Sequence, residues 1–138
     1  MAWKLGLILL ILSAWALAGS ADATAISGIS SWFNEYKYTV CYGTNQTPFL
    51  PGPRIVALNP KAFSLAACGQ CLNVTCTGGL SVGDNPCKAN TPGVVVKIVD
   101  NCGESSCNDL NLSKYAFAQI ANVNAGDIKV SYQSALCQ

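Results

Sequence analysis

Eight cysteines in a chain of 138 residues constrain the fold more than any other feature. They are Cys41, Cys68, Cys71, Cys76, Cys87, Cys102, Cys107 and Cys137. The number is even, and in an oxidising compartment such a set reads as a framework of disulfides. Spacing alone leaves about a hundred connectivities open. The physical reason for stapling is size: a domain this small buries only about two thirds of the surface its unfolded chain exposes.

The start of the chain points to that compartment. Met1 to Lys4 carries one positive charge, Leu5 to Leu17 is apolar apart from Gly6 and Ser13, and small residues follow. This is the order of a secretory signal peptide, with candidate cuts after Ala18, Ala21 or Ala23. The apolar run is shorter than the roughly 20 residues a membrane anchor needs. Residues 1–23 are therefore read as a signal peptide and 24–138 as a single domain. The mature protein is expected to be a secreted, extracellular monomer with no membrane insertion. Much of the positive mean hydropathy (+0.32) comes from the segment that would be removed.

Charge excludes several function classes. With Lys4 and Asp22 set aside, seven basic and six acidic residues remain, interspersed along the chain. That is neither a nucleic-acid footprint nor a basic patch for anionic lipid. There is no histidine, so no Ser-His-Asp or Cys-His nucleophile system exists. Cys68-Gly69-Gln70-Cys71 has thioredoxin spacing. Redox work would need those two thiols paired to each other, and the secreted setting favours structural roles. A zinc site from Cys68, Cys71, Cys102 and Cys107 fails on the same ground. No metal and no cofactor is expected.

Hydrophobic periodicity gives many short strands. Ile26 to Phe33 alternates apolar and small polar residues. Arg54 to Leu58, Leu72 to Thr77 and Asp127 to Tyr132 are further strands. Gly93 to Asp100 is the strongest, and period two puts Val94, Val96, Ile98 and Asp100 on one, inward face. Asn59-Pro60 suggests the cap of a brief helix ending near Cys68-Gly69, and Ser113 the cap of one through Ala121. Tyr42 to Pro53 and Thr77 to Gly93 read as turn-rich loops, and Asn101 to Asp109 as a tight one. Many short strands with two small helices make a compact β-barrel.

Several runs also resemble a known family. They are VKIVDNC (Val96 to Cys102), SCNDLNLSKYAFAQIA (Ser106 to Ala121) and NAGDIKVSY (Asn124 to Tyr132). Upstream lie Ser31-Trp32-Phe33 with Tyr36, Cys41-Tyr42-Gly43, Ile55-Val56-Ala57, Ala67-Cys68-Gly69 and Cys71 through Gly78. In this order the motifs resemble plant natriuretic peptides, expansin-like proteins related to family 45 endoglucanases and to barwin. The resemblance covers nearly all of the mature chain. It implies a six-stranded double-psi β-barrel, mainly β, with one or two short helices. It also implies the pairs Cys41–Cys68, Cys71–Cys137, Cys76–Cys87 and Cys102–Cys107.

The functional reading follows from where the chain departs from its enzymatic relatives. Those cut glucans with paired carboxylates, one protonating the leaving oxygen and one activating water. By resemblance, the acid's position falls at Asn111, and an amide cannot donate that proton. Asp109 lies two residues upstream and shares the strand face of Asn111 if the segment is extended. Asp100 is either a groove acid or a carboxylate bonded to loop amides around Asn101 to Gly103. Trp32, Phe33 and Tyr36 resemble the aromatic start of the expansin groove, where rings stack on sugar faces. The resemblance thus implies a non-catalytic protein acting in water and ion balance through a cell-surface receptor. The alternatives are an expansin-like cell-wall glucan binder without hydrolysis, and a weak endoglucanase using Asp109 or Asp100. The chain ends one residue after Cys137, so the second, carbohydrate-binding domain of expansins is expected to be absent. Three glycosylation sequons occur, at Asn45, Asn73 and Asn111. Pro48 directly follows the first, the second lies in a strand, and the third would put a glycan in the groove.

Overall fold

The structure is a computed structural model that describes residues 24–104 and 107–138. The signal-peptide reading and its cut fall outside the described residues. Six strands form: β1 Ile26–Phe33, β2 Ile55–Leu58, β3 Cys71–Gly78, β4 Val94–Asn101, β5 Leu110–Ser113 and β6 Ile128–Ala135. They close into a barrel in the order β1-β5-β2-β4-β3-β6. β1 runs parallel to β5, and β2 parallel to β4. The remaining neighbours are antiparallel. This is the double-psi barrel that the resemblance implies.

Alternation builds the core. Val94, Val96 and Ile98 of β4 meet Leu72 and Val74 of β3, Ile128 and Val130 of β6, and Leu110 and Leu112 of β5. Helix α1, Lys114–Ile120, adds Ala116, Phe117 and Ile120, all fully buried. Its cap forms as the sequence predicts, with Ser113 accepting the Ala116 N–H at 3.2 Å. The helix expected after Asn59-Pro60 does not form. A turn capped by Asn59 is followed by one 3-10 turn, Leu65–Ala67. None of that turn's residues is buried, and a short helix without an apolar face to bury is not stable.

Four disulfides join Cys41 to Cys68, Cys71 to Cys137, Cys76 to Cys87, and Cys102 to Cys107. The segment between β1 and β2 folds back over the outside of the barrel. Cys41 N–H donates to Val99 O at 3.0 Å, and Lys97 Nζ to Pro48 O at 2.7 Å. Ile55, Ala57 and Val99 are consequently buried although they stand apart from the central core.

One irregularity positions the site. In the β2–β4 ladder Val56 faces Ile98, but Ala57 faces Asp100. Val99 is the extra residue of a β-bulge, and a bulge reverses which side the following residues face. Asp100 therefore turns outward, not inward with Val94, Val96 and Ile98 as strict alternation predicts.

Candidate functional site

The barrel's register assembles a polar row across its outer surface. Ser31 on β1 faces Asn111 on β5, Asn111 faces Ala57 on β2, and Ala57 faces Asp100 on β4. Their neighbours Leu110, Leu112, Val56 and Leu58 all point into the core. Alternation therefore sends Ser31, Asn111 and Ala57 outward, and the bulge brings Asp100 to join them. Ala57 at the middle is nearly inaccessible, whereas Ser31, Asn111 and Asp100 are half-buried.

Each polar member is held. The Ser31 hydroxyl donates to Asn111 Oδ1 at 3.0 Å. Asp100 Oδ1 accepts the N–H groups of Val40 and Asn101, both at 3.0 Å. Asn101 Oδ1 in turn takes the Gly103 N–H at 2.9 Å. Asp100 is thus a carboxylate bonded to loop amides, and it clamps the covering segment at Val40.

Asp109 is not where an extended segment would put it. It precedes β5, and its Oδ2 accepts the Ile29 N–H at 2.8 Å. The same oxygen lies 2.9 Å from where a Cβ on Gly28 would stand, so the carboxylate fills the space that glycine leaves. Its charge reaches Tyr132, whose phenol is raised above the ordinary value, first by burial and then by Asp109. Asp109 is committed to the β1–β6 side and does not share the face of Asn111.

The aromatic residues divide. Trp32 turns toward the core, its indole N–H donating to Val123 O at 3.0 Å. Lys114 Nζ stands 4.9 Å from the ring centroid on its surface side. Phe33 instead shares the outward face of Ser31 and meets Tyr36 edge-on, with ring centroids 6.0 Å apart. Tyr36 then meets Phe49 at 6.4 Å, and Phe49 meets Tyr42 at 6.5 Å. Phe49 and Tyr42 are outside the expected set, because a turn-rich loop carries no periodicity. The available signal is two aromatic rings in a stretch otherwise rich in Gly, Pro, Asn and Thr.

The sequons fall in three settings. Asn45 is exposed, with Oδ1 bonded to Thr47 N–H at 3.0 Å. Asn73 lies on the outer face of β3, one of the two strands that carry no member of the polar row. Asn111 is the centre of the row itself.

Chemically, the row offers one carboxylate, one amide and one hydroxyl. An inverting glycosidase needs two carboxyl groups about 6.5–9.5 Å apart, one held protonated. An amide both donates and accepts, which suits uncharged hydroxyl groups. Among the described residues no group of three or more His, Cys, Asp or Glu side chains is placed to hold a metal ion.

Comparison with known proteins agrees with this architecture. A family model described as lytic transglycolase matches residues 25–132. An Arabidopsis thaliana EG45-like domain containing protein 2 is 36% identical over 126 residues, 91% of each chain. A Clavibacter michiganensis expansin, solved with cellohexaose, superposes with a TM-score of 0.58 at 24% identity over 82% of this chain. The match spans about half of that expansin, 51% of its length. A family 45 endoglucanase, EG27II, solved with cellobiose, superposes with a TM-score of 0.55 at 16% identity, over 81% of both chains. On sequence and fold together, the chain belongs to the EG45-like, expansin-like family of double-psi β-barrel proteins.

Proposed function

We propose that this protein is secreted to the cell wall and binds β-glucan chains there without hydrolysing them. The observation that carries this reading is Asn111, an amide at the centre of the row Ser31–Asn111–Ala57–Asp100. A sugar chain laid across the row meets a hydroxyl, an amide and one carboxyl group, but no second carboxyl group to complete a catalytic pair. The string Phe33–Tyr36–Phe49–Tyr42 beside it supplies apolar ring area for sugar faces. The relatives solved with cellohexaose and cellobiose support the choice of β-glucan as ligand.

The test is a calorimetric titration with cellohexaose alongside a reducing-end assay. Binding without release of reducing ends is expected. Asn111→Ala should weaken binding about tenfold, the equivalent of one or two hydrogen bonds. Asn111→Asp is the informative control for the missing acid. Turnover by the unmodified protein that is lost on Asp109→Asn would replace this reading with the endoglucanase one.

A second reading, signalling through a cell-surface receptor, draws on a different feature. Tyr38 and Val40 are exposed, at 70% and 43%, on the segment that Asp100 clamps. Exposed aromatic and aliphatic side chains beside a rigid anchor suit a protein partner. Specific binding to plant membranes stripped of wall glucan, lost on Tyr38→Ala and kept on Asn111→Ala, would favour it.

A further inference from the structure

A cleft of about 460 Å³ lies over β4, β3 and β6, sharing only strand β4 with the polar row. Its floor is the outer face of β6, β3 and β4, where Gln133, Asn73 and Val95 stand in register. Arg54, Gln119 and Gln138 complete its polar lining, and none of its lining side chains is a carboxylate. The volume falls within the roughly 300–1,000 Å³ of sites that hold small organic groups. Arg54 is the one charged side chain of the wall, and it is occupied with the carbonyl oxygens of Pro51 and Val95 and with Gln138 O.

Asn73, on this floor, forms a sequon with Thr75. Two residues apart on a strand, they share a face. Both reach the same point over Gly93, where a Cβ would stand 2.8 Å from Asn73 Oδ1 and 3.0 Å from Thr75 Oγ1. The backbone there has a φ of +96°, which glycine accepts and other residues resist. Glycine at 93 therefore leaves both side chains room. Asn73 Nδ2 makes one long bond, to Pro92 O at 3.4 Å. It can keep that bond with one hydrogen while the other is replaced.

Strand order separates this sequon from the one at Asn111. β3 pairs with β4 and β6, and both follow it in the chain. During synthesis Asn73 emerges with neither partner present. β5 pairs with β1 and β2, and both precede it. Asn111 emerges with its partners waiting; in the finished fold both asparagines are half-buried between two strands, so the order of synthesis is what separates them. At Asn45, Pro48 confines Thr47 to extended backbone, and the amide oxygen is already bonded to the Thr47 N–H.

We infer that Asn73 is N-glycosylated and that the cleft beside it seats the first sugars of the protein's own glycan. The donor class is a lipid-linked oligosaccharide diphosphate. Asn73 Nδ2 forms a bond to C1 of the donor sugar, the C1–O bond to the diphosphate breaks, and one amide hydrogen leaves as a proton. No oxidation or reduction is involved. The inference rests on the secretion proposed above, but not on the polar row or on glucan binding.

The full chain, with its N-terminal segment, is expressed in plant cells, and its intact mass and glycopeptides are measured. A single glycan on the peptide containing Asn73 is expected, released by an amidase that leaves aspartate at that position. Asn73→Gln and Thr75→Ala should abolish it, whereas Thr75→Ser should retain it. The Thr75 pair decides the matter if Asn73→Gln fails to fold. A chain with no glycan, a glycan that survives Thr75→Ala, or one mapped to Asn45 or Asn111 overturns the inference.

Discussion

At the residue scale, side-chain direction decides between packing and recognition. Trp32 sits beside Ser31 in sequence yet on the other side of the sheet, packed on the core with its indole N–H bonded to Val123 O. A fully buried aromatic truncated to alanine costs about 3–5 kcal/mol. Trp32 is half-buried, so Trp32→Ala should cost about 2–3 kcal/mol in a urea melt and leave the groove residues untouched. Tyr132 makes a pH prediction. Its folded pKa is raised, so the unfolded chain loses that proton first, near the ordinary value of about 10. Stability is therefore intact below that pH and declines as pH rises from there toward the folded pKa. Tyr132→Phe should flatten the alkaline limb of the stability curve. Asp109→Asn should lower the phenol's midpoint in an absorbance titration, because it removes the second of the two causes.

At the element scale, the bulge in β4 couples the groove to the segment that covers it. Asp100→Ala removes the acceptor of the exposed Val40 N–H, a loss of about 0.5–1.5 kcal/mol. Hydrogen exchange at Val40 should then accelerate, and cellohexaose binding should weaken together with it. The bulge also marks how far the sequence can be read. β1 and β4 are legible because eight residues of alternation outweigh local accident. β5 is only Leu110–Ser113, too short for a period to declare itself, and its strand state comes from pairing with β1 and β2. No local signal announces that Val99 is an extra residue, since it follows Ile98 in a run of β-branched side chains that suit either face. The outward turn of Asp100 therefore depends on register with β2. The same holds for Asp109, whose position is set by a gap at Gly28, 81 residues earlier. The resemblance singles out Asn111, and its place between Ser31 and Ala57 comes from register with β1 and β2.

At the scale of the whole molecule, the disulfides differ in what they restrain. Cys71–Cys137 spans 66 residues and Cys102–Cys107 only 5. In the chain-entropy model the first contributes about 4 kcal/mol and the second about 2 kcal/mol. Replacing each pair by serines and comparing denaturant midpoints should therefore show the larger loss for Cys71–Cys137. Ring closure has a separate consequence. The first and last strands are antiparallel neighbours, with Ile26 opposite Tyr132 across a spacing of about 5 Å. The chain thus enters and leaves the barrel at the same doorway. Beyond Tyr132, however, β6 runs on to Ala135, Cys137 is tied to Cys71 and Gln138 meets Arg54, so a linker must run back over as much as ~20 Å to let the polypeptide open in the exposed stretch around Val82 instead, giving a circular permutant with the same ring. With a linker of that reach at one end, the barrel can likewise be spliced into a surface loop of another protein as a self-contained insert.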